Sequence, residues 1–521
     1  MNNDQNLPQK EIDYLKTLLN NRQFSYASKK AETLTKHYPM SFVLWNHLGV
    51  SFYETKKFND AIKSYQKAVS INPKFVHAYN NLGITLGVQG KLNKAIDTCK
   101  KAVLIEPNNA LSYNNLGYLY TKLNKFDDAI AAYKKALLIQ PNYVEVYNNL
   151  GVALRKLGKY EESISAYKKA MSLQEDYAEP YNNLGAVLRD QGKIDEALDA
   201  CKRSILLQPD YPEAYNNLCI IFRDKENFDE AIEACKKAIS LKPDYAEAYF
   251  ALSYSFFLKG DFQKGLRLYE WRLKKDGFPT RMSRKPLIWD GKNSILNKKF
   301  FIYEEQGLGD IIQFCRYLPL LKQKGAEVIF KVNPKMHILL RTLDEDIIFV
   351  DEDQDDNTID LETPLMSLPY LFNTNLNTIP SMTSYLSADH ERIILWKKYL
   401  PKDSFKVGIC WQGSKAKIDL GRSFPLTLFK DISKLPNVEL ISLHKGEGEN
   451  QIEDIDFDLT VLGNDFDNGE DAFVDTAAVI SNCDLIITSD TAIAHLAGAL
   501  GCPTWVVLKK SPRLAMDVRS K

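Results

Sequence analysis

The chain has 521 residues, more than one compact core supports, so we expect two to four folding units. Lys plus Arg and Asp plus Glu both total 67 and the formal net charge is zero, which argues against nucleic acid or an anionic membrane as the main partner. The polar N-terminus and the lack of an apolar run of about 18 residues predict a cytoplasmic protein with no transmembrane segment. The cysteines form no CxxC pair, so no bound metal is predicted.

A 34-residue period runs through the first half of the chain. Three residue types keep this step in a constant phase: tyrosine, leucine and proline. The tyrosines are Tyr79, Tyr113, Tyr147, Tyr181, Tyr215 and Tyr249. Such a fixed period is typical of repeat architectures, in which each unit buries its apolar face against the next.

Each repeat is predicted to be a pair of helices. In the unit from Val76 to Asn109, Tyr79 and Leu82 share one stripe of a first helix, which Gly90 ends. Ala95 marks a second helix, where a small side chain allows close approach, and a proline after each second helix stops it. The pattern resembles the tetratricopeptide repeat family and implies an α superhelical solenoid over residues 1–279. It has about eight units, of which the first and last are degenerate.

One asparagine row repeats on the first helices and suggests a peptide-binding surface. Its members, each preceded by another asparagine, are Asn81, Asn115, Asn149, Asn183 and Asn217. Amide side chains offer donors and an acceptor to an extended peptide backbone. The row resembles the asparagine ladder that holds protein substrates in the tetratricopeptide arm of O-GlcNAc transferase. The alternative is structural, with one asparagine of each pair tying adjacent hairpins and the other solvated.

A different architecture is predicted after a linker at residues 280–298. Short β-branched or aromatic runs alternate there with helical segments, which indicates parallel sheets covered by helices. We predict two Rossmann-like lobes, at residues 299–396 and 397–521. The predicted strands are Phe300 to Tyr303, Val328 to Val332, Ile347 to Val350, Val407 to Cys410, Val438 to Leu443, Leu485 to Thr488 and Thr504 to Leu508.

Ligands of open α/β sheets bind beyond the carboxyl ends of the strands, so the loops there are the candidate site. The first contains Gly307, Gly309 and Asp310 and opens a predicted helix from Ile311 to Gln323. The glycines permit close backbone approach. Asp310 either caps the helix or accepts a proton from a bound hydroxyl group.

The second loop follows the strand that ends at Cys410 and contains Gly413, Ser414 and Lys415, with Arg422 a little further on. Its two cations either clamp a diphosphate or are simply solvated.

The third loop contains Asp490, Thr491 and Ala492 at the start of a helix. Backbone amides at a helix start attract anions, while the alternative is an ordinary N-cap. His495, one turn further, either contacts the ligand or packs in the interior.

Together these loops resemble the heptosyltransferase-like glycosyltransferases of the GT-B fold, in particular bacterial members with an N-terminal tetratricopeptide arm. The motifs that carry the resemblance are Gly307-Leu308-Gly309-Asp310, Trp411-Gln412-Gly413-Ser414, Arg422-Ser423, Asp475-Thr476-Ala477-Ala478 and Ser489-Asp490-Thr491-Ala492-Ile493-Ala494-His495. The resemblance implies a metal-independent, inverting transfer of a hexosyl or heptosyl group. The nucleotide-diphosphate sugar is a substrate, and no cofactor is implied.

The resemblance also implies roles for single residues. Asp310 is the acceptor-side base, Lys415 and Arg422 neutralise the leaving diphosphate, and Asp490 and Thr491 hold the donor. His444 and Lys445, which follow a strand, are placed near the nucleotide base, with surface solvation as the alternative.

The sequence departs from the family at its C-terminal end. After the predicted strand from Thr504 to Leu508 the Trp/Arg-rich segment and the closing helices are not recognisable, so the second lobe is predicted to be shortened. Two functions are therefore considered. The first is a tetratricopeptide-scaffolded glycosyltransferase acting on a protein or glycan. The second is a protein-binding scaffold whose glycosyltransferase-like domain is catalytically degenerate.

Overall fold

A computed structural model describes residues 8–275, 287–354, 358–381, 383–413, 423–469 and 471–508. The chain divides into two compact units, residues 1–221 and 222–521. Among the helices in the described ranges, none has both the length and the hydrophobicity needed to cross a bilayer.

The N-terminal part is an array of helical hairpins, as predicted. Sixteen helices occupy the described residues 8–275, and α13 contains the boundary between the two units. The helices are α1 Gln9–Asn20, α2 Phe24–His37, α3 Phe42–Glu54, α4 Phe58–Ile71, α5 Val76–Val88, α6 Leu92–Ile105, α7 Ala110–Lys122, α8 Phe126–Ile139, α9 Val144–Lys156, α10 Tyr160–Leu173, α11 Ala178–Asp190, α12 Ile194–Leu207, α13 Pro212–Asp224, α14 Phe228–Leu241, α15 Ala246–Leu258 and α16 Phe262–Tyr269.

Close packing within each hairpin explains the period of the sequence. A Cβ atom added at Gly151 would lie 2.5 Å from Cε1 of Tyr167, and one at Gly83 would lie 2.3 Å from Sγ of Cys99. The alanine that recurs on the second helices is fully buried, as at Ala95 and Ala129. A glycine on one helix facing a large side chain on the other therefore fixes how the pair fits together.

The hairpins form two layers within the first unit. Helices α3, α5, α7, α9 and α11 contact one another in succession, as well as their even-numbered partners. The odd-numbered helices therefore make a continuous inner layer. The even-numbered helices lie outside it, and each turns one face to solvent.

Two parallel sheets follow, as predicted. The strands are β1 Leu287–Ile288, β2 Lys299–Tyr303, β3 Glu327–Lys331, β4 Ile348–Val350, β5 Leu361–Pro364, β6 Phe405–Cys410, β7 Val438–Ser442, β8 Leu485–Ser489 and β9 Thr504–Val507. Their orders are β1-β5-β2-β3-β4 and β7-β6-β8-β9, and every pairing is parallel. Two strands were not predicted: β1 has only two residues, and β5 carries a glutamate and ends at a proline.

Seven short helices accompany the sheets in the described residues 287–508. They are α17 Leu308–Phe314, α18 Leu318–Gln323, α19 His337–Arg341, α20 Leu368–Leu371, α21 His390–Lys397, α22 Val474–Ile480 and α23 Ala492–Ala499. The prediction of a single helix from Ile311 to Gln323 is wrong, because the chain tightens into a 3₁₀ turn at Cys315–Tyr317 before α18 begins. Pro319 lies in the first turn of α18, and proline in the interior of one long helix would remove a hydrogen bond and clash with the preceding turn.

One hydrophobic core serves the last hairpin and both sheets, all within the second unit. It joins Phe257 and Leu266 of α15 and α16 to Phe300 of β2 and to Ile486 of β8. The last hairpin is thus part of the same folded body as the sheets.

A buried ion network lies just after that hairpin. Nη2 of Arg272 donates to Oε2 of Glu305 at 2.7 Å and to Oγ of Ser367 at 2.8 Å, while Nη1 donates to Oε1 of Glu270 at 2.7 Å. The side chains of Arg272 and Glu305 are 1% and 0% exposed. Burial raises the pKa of Glu305, and the Arg272 guanidinium opposes that rise. Glu305 directly precedes the loop that opens α17, so the network holds that loop to the hairpin.

We predict that Arg272→Met lowers the free energy of unfolding of the second unit by about 3–5 kcal/mol, because it leaves the Glu305 carboxylate buried without its counter-charge. Loss of the guanidinium raises the Glu305 pKa further. A carboxyl with a raised folded pKa loses stability as the pH rises, so the defect should be larger at pH 8 than at pH 5.5.

Urea denaturation at both pH values measures this effect. Arg267→Met, at an exposed position on α16, is the control and should change the free energy of unfolding by less than about 0.5 kcal/mol. Equal effects of the two substitutions would contradict the assignment.

Candidate functional site

Loops from both sheets border one cavity of about 670 Å³ in the second unit. This volume is within the range of ligand pockets, about 300–1,000 Å³. The cavity lies at the carboxyl ends of β2, β6 and β8, where parallel sheets bind ligands. The predicted site residues that line it are Gly307, Gly309, Asp310, Gly413, Asp490, Thr491, Ala492 and His495. The predicted Ser414, Lys415 and Arg422 lie outside the described residues.

The first loop places Asp310 inside the first turn of α17. Gly307 occupies the N-cap position in extended conformation, and the amide of Asp310 donates to its carbonyl at 3.0 Å. Asp310 is therefore not the N-cap residue. A carboxylate in the first turn is favoured by the helix dipole, and here it also borders the cavity.

Helices α17 and α23 pack directly against each other and bring the two sheets' loops together. A Cβ atom at Gly309 would lie 3.1 Å from Cδ2 of His495 and 3.3 Å from Cα of Ala492. Tyr385 bridges the same two helices: its hydroxyl donates to the carbonyl of Ile312 at 2.9 Å, and its amide donates to the carbonyl of Ala499 at 2.9 Å. The glycine predicted to allow close approach does so towards α23.

The start of α23 faces the cavity. Thr491 is its N-cap, but the threonine side chain makes no capping hydrogen bond; its hydroxyl lies 3.2 Å from that of Thr488. Thr491 is thus the N-cap residue by position, but its side chain does not cap the helix. With the side chain turned away, the positive end of the helix dipole points towards the cavity.

The loops after β6 and β7 form a rigid part of the wall. The rings of Trp411 and His444 stack with centroids 4.3 Å apart, and Nε2 of His444 lies 2.7 Å from the carbonyl oxygen of Glu447. Burial lowers the pKa of His444. We infer a neutral imidazole that donates from Nε2, with Nδ1 3.6 Å from Sγ of Cys410. The surface alternative is wrong for His444, which is buried, whereas Lys445 is exposed beside it.

Several cavity residues were not predicted. Asp467 accepts from the amides of Asp475 at 3.1 Å and of Thr476 at 3.3 Å, and burial raises the pKa of Asp467. It lies on an irregular loop with no periodic signal. The last hairpin contributes three more lining residues, Tyr254, Phe257 and Tyr269. The repeat pattern predicts these aromatic side chains only as packing residues.

The asparagine row of the first unit forms hydrogen bonds between neighbouring hairpins. In four of the five pairs, Nδ2 of the second asparagine donates to Oδ1 of the first asparagine one repeat earlier. The bonds are Asn81 to Asn46 at 3.0 Å, Asn149 to Asn114 at 3.1 Å, Asn183 to Asn148 at 2.9 Å and Asn217 to Asn182 at 2.8 Å. The amide groups thus tie adjacent repeats together, which is the structural alternative.

The ladder has a gap at Asn115. Within the described residues Oδ1 of Asn80 is buried without a hydrogen-bond partner, so Asn115 does not make the bond that its equivalents make. The five predicted peptide-binding asparagines are all half-buried. In four of them one N–H of Nδ2 is used by the ladder, which leaves the second N–H and Oδ1 for a peptide.

Known families match the array region. Residues 76–109, 178–211 and 212–245 match a family model described as Tetratricopeptide repeat. Residues 98–131 match a second model with the same description. Residues 49–87, 117–158 and 151–189 match a model described as TPR repeat. The N-terminal array consists of tetratricopeptide repeats.

Curated and solved proteins are similar to part of the chain. Protein FlbA of Caulobacter vibrioides is 25% identical over 269 residues, which cover 46% of this chain and 44% of that protein. The chain therefore spans less than half of that relative. A tetratricopeptide repeat protein from Parabacteroides merdae is 17% identical with a TM-score of 0.42, covering 48% of this chain and 98% of its own. YrrB, described as a TPR protein with an unusual peptide-binding site, is 26% identical with a TM-score of 0.28, covering 36% and 96%.

The gap in the ladder gives a matched pair of variants within the tetratricopeptide repeats. Asn183→Ala removes the donor to Asn148, whose side chain is 1% exposed, so it should cost about 1–2 kcal/mol of unfolding free energy. Asn115→Ala should cost less, because no such bond is lost. Urea titrations followed by circular dichroism compare the two, and equal losses would show that the ladder bond contributes nothing.

His444 should remain neutral well below pH 6.5, since burial disfavours the imidazolium. A histidine with a lowered folded pKa costs stability as the pH falls below its unfolded value, because the unfolded state then binds the extra proton. NMR titration of the histidine ring protons, with His444→Gln to assign the signal, measures the midpoint. A midpoint at or above 6.5 would contradict the buried neutral state.

Proposed function

We propose that the chain is a glycosyltransferase that moves a sugar from a nucleotide-diphosphate donor to an acceptor, within the cavity between the two sheets. The observation that carries this proposal is that Asp310 of one sheet's loop and Asp490, Thr491 and the start of α23 from the other line a single cavity. Sugar transfer needs a base beside an anion-binding group, and these two loops offer one each. The resemblance to GT-B heptosyltransferase-like enzymes gives the same roles.

Asp310 is the proposed base. Its carboxylate would accept the proton of the acceptor hydroxyl as that oxygen attacks the anomeric carbon of the donor. The carbon–oxygen bond to the diphosphate breaks as the new bond forms, and the electron pair leaves with the nucleoside diphosphate. Attack from the face opposite the leaving group inverts the anomeric centre.

The start of α23 is the proposed donor subsite. The helix dipole favours the negative charge of the departing diphosphate, and Asp490 and Thr491 offer hydrogen bonds to sugar hydroxyls. His495 and Ala492 complete this side, against Gly309. Gly413 is close to this side, because a Cβ atom there would lie 3.1 Å from Cγ2 of Thr491, and the sequence continues from it through Ser414 to Lys415 and Arg422. These last two are the proposed cations for the leaving group.

The tetratricopeptide repeats are the proposed partner-binding arm. Repeats of this kind present a row of side chains on the inner helices, and the half-buried asparagines Asn81, Asn149, Asn183 and Asn217 keep an acceptor oxygen for a peptide amide. Asn115, whose amide is not used by the ladder, is the member with most hydrogen-bonding capacity left. A protein or glycan-bearing partner held there would be delivered as the acceptor.

One observation favours a scaffold without turnover. The described wall of the cavity carries three carboxylates, Asp310, Asp467 and Asp490. Among the described residues of this wall the lysine is Lys445, and its ammonium group already donates to the carbonyl of Phe466. Carboxylates on the wall of a cavity do not attract a diphosphate, and the second candidate is a protein-binding scaffold with a catalytically degenerate α/β part.

Donor binding separates the two candidates. A nucleoside diphosphate that binds the folded state raises the melting temperature, so a panel of diphosphates and their sugar conjugates is tested by thermal shift on the full chain. We predict that Asp490→Ala abolishes the shift and that Asp310→Asn keeps it. Asp310→Asn should lower diphosphate release by at least about 100-fold, the typical share of a general base.

Asp458→Asn is the matched control, because Asp458 is exposed and distant in sequence from both loops. It should leave nucleoside-diphosphate binding and diphosphate release unchanged. A chain that shows neither a thermal shift nor diphosphate release with any donor supports the scaffold and excludes the transferase.

A further inference from the structure

The outer helices of the first unit carry an unbroken row of cations. At equivalent positions of α4, α6, α8, α10 and α12, each helix exposes one or two basic side chains. The residues are Lys67, Lys100, Lys101, Lys134, Lys135, Lys168, Lys169, Lys202 and Arg203, and we call this set the outer basic row. Its period is that of the repeats, so the charges fall on one face of the array, on the layer opposite the asparagine ladder. The net charge of the whole chain is zero, so the outer basic row is not evident from composition.

These charges are not neutralised within the described structure. Among the described residues, none of the nine side-chain cations forms a hydrogen bond or an ion pair, whereas Lys63 and Lys236, which are outside the row, each pair with an acidic residue of their own helix. The acidic residues of the same helices lie mostly in their first turns, as Asp127 and Asp128 do in α8. Asp97 and Asp199 approach the row in α6 and α12, but α8 and α10 have Ala131 and Ser165 at that position. The centre of the row is therefore purely cationic.

Exposed leucines lie beside the outer basic row. Leu104, Leu138 and Leu206 follow the cation pairs of α6, α8 and α12 by one helical turn and share their face. Their exposed fractions are 78%, 74% and 68%. Leucine at this position gives nothing to the fold, since each side chain projects into solvent. Cations next to exposed leucines on one face are typical of surfaces that lie on a membrane.

We propose that the outer basic row is a docking surface for an anionic phospholipid bilayer. Lysines and one arginine meet the lipid phosphates, while the leucines enter the boundary between headgroups and acyl chains. The inner layer of the array and the cavity of the second unit take no part in this contact. The surface is thus separate from the proposed transferase site and does not depend on it.

Lipid fits the row better than nucleic acid or an acidic protein. Eight of its nine cations are lysines, and it includes no aromatic side chain for base stacking. Exposed leucines would gain nothing beside a phosphodiester backbone, but they are buried by a bilayer. An acidic protein would need carboxylates repeated in register with the helices, whereas a fluid bilayer brings anions to wherever the cations are.

The test is sedimentation of the full chain with two kinds of vesicle. One contains phosphatidylcholine alone, and in the other about one lipid in three is the anionic phosphatidylglycerol. We expect binding to the anionic vesicles that weakens as salt rises, since salt screens exposed charges. The combined variant Lys134→Glu, Lys135→Glu, Lys168→Glu and Lys169→Glu should weaken it by about tenfold or more.

The control reverses four exposed lysines of the second unit, Lys292, Lys397, Lys398 and Lys402, to glutamate. It changes the net charge equally and should keep at least most of the binding. Leu104→Ser with Leu138→Ser and Leu206→Ser should reduce the binding that survives at high salt. Circular dichroism checks that each variant keeps its helix content, because all substituted side chains are exposed.

Three results would overturn the proposal. They are absence of binding to anionic vesicles, an equal loss in the control, and full binding by the Lys→Glu variant. Binding of single-stranded RNA or of poly-glutamate through the row, without binding of vesicles, would assign the surface to a different class of partner. A leucine variant that behaves as the parent chain would refute insertion into the bilayer.

Discussion

The direct packing of α17 against α23 is the constraint on which the cavity depends. Each helix begins at the carboxyl end of a strand, β2 in one sheet and β8 in the other, so their contact sets the two loop regions face to face. A Cβ atom at Gly309 would press on His495 and Ala492 of α23, and Tyr385 is hydrogen-bonded to both helices. The hydrophobic core is continuous across this contact, so residues of both sheets belong to one cluster of buried side chains.

The last tetratricopeptide hairpin is bound to the sheets by an ion pair and also contributes side chains to the cavity. Arg272 ties it to Glu305, and Glu305 precedes the loop that bears Asp310. Tyr254, Phe257 and Tyr269 of the hairpin add an aromatic wall to the cavity. A site that would otherwise be built from two sheets alone thus includes side chains from the repeat region, and the wall nearest Asp310 depends on how the array ends.

Local and periodic rules account for what the sequence could predict. The repeats were predictable because contacts such as Gly151 with Tyr167 recur at a fixed step and leave the same residue types in phase. The loops of the cavity were predictable because ligands of parallel sheets bind at strand ends, a rule that needs only the strands to be located. Both signals depend on short stretches of chain.

What could not be predicted arises from long-range contacts. Strand β5 pairs between β1 and β2 although its own residues include a glutamate and a proline. Asp467 reaches the cavity from an irregular loop, and His444 is buried by stacking on Trp411, so neither is marked by its neighbours in sequence. The asparagine bonds join residues 35 positions apart, and a repeat pattern alone does not show whether an amide faces a neighbouring hairpin or a ligand.

The asparagine ladder also limits how the arm can change in length. Each bond joins the second asparagine of one repeat to the first asparagine of the repeat before it. Duplicating or deleting one whole repeat keeps each of these donors opposite an equivalent acceptor and leaves the junction with the sheets untouched. An insertion within one of the first helices would instead shift an asparagine away from its partner and leave an amide group without its hydrogen bond. A change of length by whole repeats therefore preserves the ladder, while the cavity keeps its walls.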